Sequence, residues 1–135
     1  MKLSTKGRYG LKAIVYIGNS KTNVSIREIA QNQQISEGYL EQIIAKFKKS
    51  NLVKSTRGAT GGYCLSKSPD DISVGDILRS VEGDIRPITD CGGIKNGTKV
   101  CTTSDKCVTK YVWQRINDSI DKTVDEIKLS ELISM

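Results

Sequence analysis

The chain has 135 residues, the length of one domain or of one domain with an appendage, and 37% of them are hydrophobic. It contains no run of 18 or more apolar residues and no signal-peptide pattern, so we expect a cytoplasmic protein without membrane association. The absence of histidine, of a Cys-x-x-Cys motif and of a nucleophile paired with a base argues against an enzyme.

The net charge of +6 is unevenly distributed along the chain. Residues 1–69 contain twelve basic and three acidic residues, which gives +9, whereas residues 70–135 carry −3. Residues 42–69 contain no acid. A generally basic surface is one interpretation, but this pattern favours one polyanion-binding face in the first half and a different role for the second half.

A first helix is predicted over residues 5–18, where apolar residues recur at helical spacing. Ser4 or Thr5 lies near its start. Gly7 and Gly10 should weaken this helix, each by about 1 kcal/mol relative to alanine.

Two further helices follow, separated by the tight turn "QIS". Ser25 and Glu28 have the spacing of a capping box, which starts a short second helix. Ser36 is the predicted N-cap of a third helix over residues 37–49. The apolar stripe of the third helix consists of Leu40, Ile43, Ile44 and Phe47.

A β-hairpin is predicted after the third helix, with strands at residues 52–55 and 63–66 around the glycine-rich turn "TRGATGG". Cys64, in the returning strand, is interpreted as a small, partly buried residue, with thiol sensing as an alternative. "SPDD" then reads as a break in secondary structure.

The second half of the chain is predicted to contain two helices and a terminal segment. Ser73 and Asp76 cap a fourth helix that ends at Gly83, and a long helix runs over about residues 107–127. The final "LSELISM" is a short helix or tail. The apolar stripe of the long helix is Val108, Val112, Ile116, Ile120, Val124 and Ile127. Packing within the chain would explain this stripe, but its length favours a partner helix from a second subunit.

The order helix, turn, helix and basic hairpin is typical of a winged helix-turn-helix that binds DNA. Polar residues at the start of the third helix can enter the major groove, and the glycine-rich wing tip can approach phosphates or the minor groove. A helix-turn-helix used for protein contacts is the alternative. The candidate DNA-binding residues are Ser36, Gly38, Tyr39, Glu41, Gln42, Arg57 and Gly58.

Four segments resemble a family of winged helix-turn-helix transcription regulators: "MKLSTKGRYGLKA", "ISEGYLEQI", "LVKSTRGATGGYCLS" and "SPDDISVGDILRSVEG". This family includes the iron–sulfur cluster regulator IscR, the nitric-oxide sensor NsrR and the cysteine-metabolism repressor CymR, and the chain is closest in kind to IscR-like members. The resemblance covers essentially the whole chain. It implies a homodimer that binds a dyad-symmetric site in double-stranded DNA. The expected organisation is a DNA-binding domain over residues 1–83, a cysteine-bearing loop over 84–107, and a dimerisation helix and tail over 108–135.

Cys91, Cys101 and Cys107 match the positions of the cluster-binding cysteines in the family. Thiolates are soft donors that suit iron–sulfur clusters or zinc, and the resemblance favours a cluster of the 2Fe–2S type. The nine residues between the first two cysteines exceed the family's usual five, while the five between the last two match it.

The fourth ligand of such a cluster stays open. Lys110 replaces the histidine of IscR-like members, and Arg8 replaces the acidic ligand of some nitric-oxide-sensing relatives. The remaining candidates are Asp90, Asp105, a hydroxyl of "TTS", a small molecule or a residue of the partner subunit.

Two regulatory hypotheses follow. In the first, a cysteine-ligated cluster sets the DNA affinity of a repressor or activator. In the alternative, the same DNA-binding protein carries no cluster and is controlled by thiol oxidation or by a partner protein, as in the cysteine-metabolism type.

Overall fold

The computed structural model describes residues 3–87, 94–95, 98–99 and 108–133, which form six α-helices and two antiparallel hairpins. The helices are α1 (Thr5–Asn19), α2 (Ile26–Gln33), α3 (Glu37–Lys49), α4 (Val74–Glu82), α5 (Lys110–Glu126) and α6 (Leu129–Ile133). The strands are β1 (Val53–Thr56), β2 (Gly62–Leu65), β3 (Ile94–Lys95) and β4 (Thr98–Lys99). The predicted fold class, mostly helical with a small β-hairpin wing, is confirmed.

α1 lies at the centre of the core, with α2, α3, α4, α6 and β2 packed against it. The predicted apolar stripe of α3 is buried in this core. Gly10 explains how α1 and α3 come so close, because a Cβ at this position would lie 3.2 Å from the ring of Phe47. The glycine that weakens the helix in isolation therefore permits its packing.

Serine N-caps begin four helices, at Ser4, Ser25, Ser36 and Ser73. The last three are at the predicted positions, and of the two residues expected near the start of α1, Ser4 is the cap. The capping box is complete at Ser73, whose amide donates to the Asp76 carboxylate at 3.1 Å. At Ser25 only half of the predicted box forms. The Ser25 hydroxyl accepts from the Glu28 amide at 3.1 Å, but the Glu28 carboxylate accepts from the Tyr16 hydroxyl instead.

The wing hairpin lies one residue away from the predicted strand bounds at each end, because Thr56 pairs with Gly62. A third segment, with no signal in the local sequence, lies beside the hairpin. Val24 pairs with Tyr63 through two backbone hydrogen bonds of 2.7 and 3.0 Å, which attach the wing to the turn before α2. The predicted break at "SPDD" is a 3-10 turn over Pro69–Asp71, capped by the Ser68 hydroxyl.

α5 begins at Lys110 rather than at residue 107 and packs against α4 through its C-terminal half. Ile120, Val124 and Ile127 contact a small apolar cluster that includes Leu78 of α4. Arg79 of α4 adds two ion pairs across this contact, to Asp125 at 2.6 Å and to Asp121 at 2.9 Å.

The N-terminal half of α5 carries apolar side chains that the described chain leaves exposed. The exposed fractions are 63% for Tyr111, 46% for Val112 and 38% for Ile116. The C-terminal half of the stripe therefore packs within the chain, while its N-terminal half stays exposed among the described residues. A partner helix on that half stays a prediction.

The chain returns to its core directly after α5. The Val74 amide donates to the Ile127 carbonyl, and the Leu129 amide donates to the Ile72 carbonyl, each at 2.8 Å. Leu129, the first residue of α6, is fully buried in the core that contains α1 and α3. The end of α5 is thus fixed beside the start of α4.

Candidate nucleic-acid interface

The start of α3 presents a polar edge above a buried apolar face. The Ser36 hydroxyl accepts from the Tyr39 amide at 3.2 Å and fixes the first turn. Glu37, Gly38 and Glu41 are exposed, and so is Gln42. Carboxylates and amides at such an edge can accept from cytosine or pair with adenine in a major groove.

Tyr39 differs from the other candidates because it is half-buried. Its ring makes an edge contact with the ring of Tyr9 in α1, with centroids 6.2 Å apart and planes at 87°. The Nζ atom of Lys12 lies 6.0 Å from the centre of the Tyr9 ring. The first turn of α3 is therefore joined to the surface of α1, a connection that sequence spacing alone did not reveal.

The wing presents Arg57 at an exposed tip whose backbone requires glycine. Gly58 has φ of +104° and Gly62 has φ of +145°, values that side-chain-bearing residues rarely adopt. The amide of Asn23 fixes the tip, since its Nδ2 donates to the Thr56 hydroxyl at 2.7 Å and to the Thr60 carbonyl at 2.9 Å. The exposed guanidinium is thus carried on a braced turn rather than on a free loop.

The charges around this surface are distributed in a pattern that suits a polyanion. Glu37 and Glu41 give the first turns of α3 a negative charge, while its last turn carries Lys48 and Lys49 in exposed positions. Lys54 adds a further exposed cation on β1. Exposed cations therefore lie at the end of α3 and on the wing, away from the acidic first turns in sequence.

The predicted cluster ligands Cys91, Cys101 and Cys107 lie outside the described residues, as do Asp90 and Asp105. Within the described part of the chain, no group of three or more cysteine, aspartate or glutamate side chains could hold a metal ion. β3 and β4 lie between the first two cysteines and pair Ile94 with Lys99. A short hairpin therefore occupies the segment that was predicted only as a loop.

The other residues considered in the cysteine hypotheses are described. Cys64 is a free, half-buried thiol on β2, opposite Lys54 of β1. Lys110 is the half-buried first residue of α5, and Arg8 is exposed on α1. Across the described ranges, the helices are too short or too polar to cross a membrane.

Comparison with known proteins gives one consistent family. The family model described as "Rrf2: Iron-dependent Transcriptional regulator" matches residues 3–135. The HTH-type transcriptional regulator CymR of Bacillus subtilis is 37% identical over 136 residues, covering 99% of this chain and 91% of that protein. The HTH-type transcriptional regulator IscR of an Enterobacter species is also 37% identical, covering 99% and 80%.

Solved structures of CymR and IscR are also similar to this chain to about the same degree. The structure of CymR, described as the global cysteine regulator of B. subtilis, has a TM-score of 0.79 at 36% identity and covers 99% of this chain and 97% of that chain. The structure of T. potens IscR has a TM-score of 0.76 at 39% identity, covering 99% and 87%. The chain is therefore about equally similar to a cysteine regulator and to IscR proteins.

Proposed function

Because this chain belongs to the Rrf2 family of transcriptional regulators, it is a DNA-binding regulator and not an enzyme, and we propose that it acts as a homodimer on a dyad-symmetric site. Residues 1–83 form the DNA-binding unit in this proposal, residues 84–107 the cysteine-bearing segment, and residues 108–135 the dimerisation helix and tail. The observation that carries the DNA-binding part is the exposed polar start of α3 beside a braced, basic wing.

We assign base contacts to α3 and backbone contacts to the wing. Glu41 and Gln42 are exposed where α3 would enter the major groove, and both types of side chain recognise base edges there. Ser36, Gly38 and Tyr39 line the approach at the first turn, and Arg57 with Gly58 reaches the phosphates or the minor groove. Phosphate contacts fix the register of the protein, and base contacts select the sequence.

The dimer is proposed to form through the N-terminal half of α5. Tyr111, Val112 and Ile116 expose an apolar surface at one end of a 17-residue helix that spans about 25 Å. A second copy of the same helix would bury this surface in an isologous contact. Two DNA-binding units held in this way would meet half-sites about one helical turn apart.

We further propose that Cys91, Cys101 and Cys107 hold an iron–sulfur cluster of the 2Fe–2S type. Three thiolates supply the soft donors that such a cluster needs, and a bound cluster responds to redox conditions and iron supply. The pairing of β3 with β4 supports this ligand set, because a hairpin takes up residues of the long first spacing. The fourth ligand would come from Asp90, Asp105, a hydroxyl of residues 102–104, a small molecule or the partner subunit.

The cluster would act on the DNA-binding unit through α5. The cysteine-bearing segment leads directly into this helix, and α5 is fixed to α4 by Arg79 and by apolar contacts. Binding of the three thiolates to one group would order the segment at the start of the dimerisation helix. The relative position of the two DNA-binding units, and hence their fit to a dyad site, would then depend on the segment.

The alternative is the same DNA-binding dimer without a cluster, controlled by thiol oxidation or by a partner protein. Two observations favour it as the second candidate. The similarity to B. subtilis CymR, a cysteine regulator, equals the similarity to IscR. The chain also lacks histidine, and a lysine ammonium at position 110 cannot bind iron.

Purification without oxygen separates the two candidates. We expect a brown protein with visible absorption and stoichiometric iron and sulfide, whose affinity for a dyad-symmetric duplex changes when the iron is removed. Cys101→Ala should be colourless and still dimeric, whereas the matched control Cys64→Ala should keep its colour. A colourless, iron-free wild-type protein whose DNA affinity responds to thiol oxidants would establish the alternative.

A further inference from the structure

The acidic edge of α3 raises the question of what attracts a duplex to that side of the protein. Glu37 and Glu41 are both exposed there, and each would repel phosphate groups. The wing supplies positive charge on one flank through Lys54 and Arg57. A duplex lying across α3 also has phosphate groups beside the first turn of the helix, where the neighbouring surface belongs to α1.

Four residues of α1 form one surface, which we call the α1 face: Thr5, Arg8, Tyr9 and Lys12. Their spacing of three, one and three residues places them along one side of the helix. They line a small cavity of about 80 Å³ that combines a hydroxyl, a guanidinium and an ammonium group. These are the donor groups that proteins use to hold phosphate oxygens.

The α1 face adjoins the first turn of α3. Tyr9 is the residue whose ring contacts Tyr39 at the first turn of α3, and Lys12 lies over the same ring. Arg8 and Lys12 are exposed, so both cations are accessible beside the polar edge of α3. A helix entering a major groove through its first turn would therefore bring this face towards the flanking backbone.

The first turn of α1 is held in place by a residue from α4. One carboxylate oxygen of Glu82 accepts from the Ser4 amide at 3.0 Å and from the Gly7 amide at 2.9 Å, and it also accepts from the Ser4 hydroxyl. This carboxylate satisfies amides that a helix start leaves without partners. Arg8 thus projects from a fixed turn, and less conformational freedom is lost when it binds a ligand.

We propose that the α1 face binds backbone phosphates of the DNA duplex beside the first turn of α3. This inference rests on the proposed DNA-binding function and extends it, because it places phosphate contacts on α1 in addition to those of the wing. Arg8 and Lys12 supply charge-assisted hydrogen bonds in this arrangement, and Thr5 supplies a neutral one. The contacts would fix the register of α3 without reading sequence.

The test is the salt dependence of binding to a dyad-symmetric duplex. Each phosphate contact contributes about 0.9 to the slope of log K against log salt concentration. Arg8→Ala with Lys12→Ala removes four such contacts from a dimer, so the slope should fall by about 3.6 for every sequence tested. The charge-retaining pair Arg8→Lys with Lys12→Arg should keep most of the wild-type slope.

The matched control is Lys122→Ala with Lys128→Ala, which removes the same charge at the C-terminal end of α5. Thermal unfolding of each variant shows that the fold is retained. An unchanged slope for the α1 pair, or an equal fall for the control pair, would overturn the inference. Arg57→Ala, measured in the same way, tests the wing separately, because Arg57 is exposed at its tip. A wild-type protein with no salt-dependent affinity for duplex DNA would instead overturn the proposed function.

Discussion

Gly7 illustrates, at the scale of a single residue, why helix propensity alone does not explain which residue suits a position in α1. Glycine disfavours a helix interior by about 1 kcal/mol relative to alanine. A Cβ at this position would, however, lie 2.7 Å from the Glu82 carboxylate oxygen that accepts from the Ser4 and Gly7 amides. The missing side chain therefore makes room for a hydrogen-bonding group from a different helix, which no local pattern reveals.

Gly7→Ala should consequently destabilise the protein although alanine is the better helix former. Displacing Glu82 weakens two hydrogen bonds from backbone amides to a charged oxygen, and we expect a net loss of about 1 to 2 kcal/mol in the free energy of unfolding. Urea unfolding measures it. Gly38→Ala is the matched control, because a Cβ there meets nothing within 4 Å. That variant should be equal to or more stable than the wild type, and a stabilising Gly7→Ala would contradict the structural reason given.

At the scale of elements, the sequence predicted the helices and their caps from neighbouring residues, but it did not predict the contacts between elements. Three of the four serine caps lie at the predicted positions, because N-capping depends on neighbouring residues only. The Asn23 brace of the wing and the pairing of Val24 with Tyr63 join residues more than 30 positions apart. The strand bounds moved one residue towards the turn, because Thr56 and Gly62 extend the pairing by one step and Leu52 and Ser66 lie outside it.

In the candidate site, too, features set by neighbouring residues were predictable, and contacts between helices were not. The recognition-helix residues were identified from local spacing and a resemblance, and the structure places Glu41 and Gln42 on an exposed edge. The half-buried position of Tyr39 was not predicted, because it depends on the ring of Tyr9 in another helix. The α1 face could not be predicted from the sequence for the same reason, since its position beside α3 depends on how the two helices pack.

The contact between α4 and α5 predicts an effect of pH. Hydrogen bonding to Arg79 lowers the pKa of Asp125 below its ordinary value. A lowered pKa in the folded state means that this pair stabilises the protein above the ordinary aspartate pKa, and that the contribution disappears as the pH falls through the folded-state pKa. Both side chains are partly exposed, so solvent screening limits the contribution to less than about 1 kcal/mol.

Arg79→Ala should therefore reduce the free energy of unfolding at pH 7 and weaken its dependence on pH in the acid range. Urea unfolding at a series of pH values measures both effects. Lys122→Ala is a suitable control, because its pair with Glu126 is 4.0 Å long and more exposed. A wild-type pH profile in the Arg79 variant would show that the two ion pairs do not stabilise the contact.

At the scale of the whole molecule, α5 has one half inside the fold and one half outside it. Its C-terminal half is covered by α4, and its N-terminal half exposes Tyr111, Val112 and Ile116. A single chain does not gain from keeping such a surface in water. A second copy that covers it would couple the assembly of the protein to the position of its two DNA-binding units.

Val112→Lys should shift the protein towards the monomer, because the substitution places a charge in the proposed contact. Analytical ultracentrifugation over a range of protein concentrations measures this shift. Circular dichroism should remain unchanged, since this side chain is exposed in the single chain. Gln114→Lys, at an exposed polar position on the side of the same helix opposite Val112 and Ile116, should remain dimeric. A dimeric Val112 variant would place the subunit contact elsewhere.

The backbone bridge between Ser73 and Lys128 has a consequence for how the protein tolerates change. The chain passes this bridge just before α4, runs through α4, the cysteine-bearing segment and α5, and returns to the bridge just after α5. The bridge fixes Ser73 and Lys128 beside each other, and the entropy of closing a loop varies only slowly with its length. Inserting or deleting residues between α4 and α5 should therefore change the stability only slightly. The spacing of the cysteines could therefore change in evolution without disturbing the fold. A chain cut between the cysteines would likewise keep both fragments associated, through the bridge and the contact between α4 and α5.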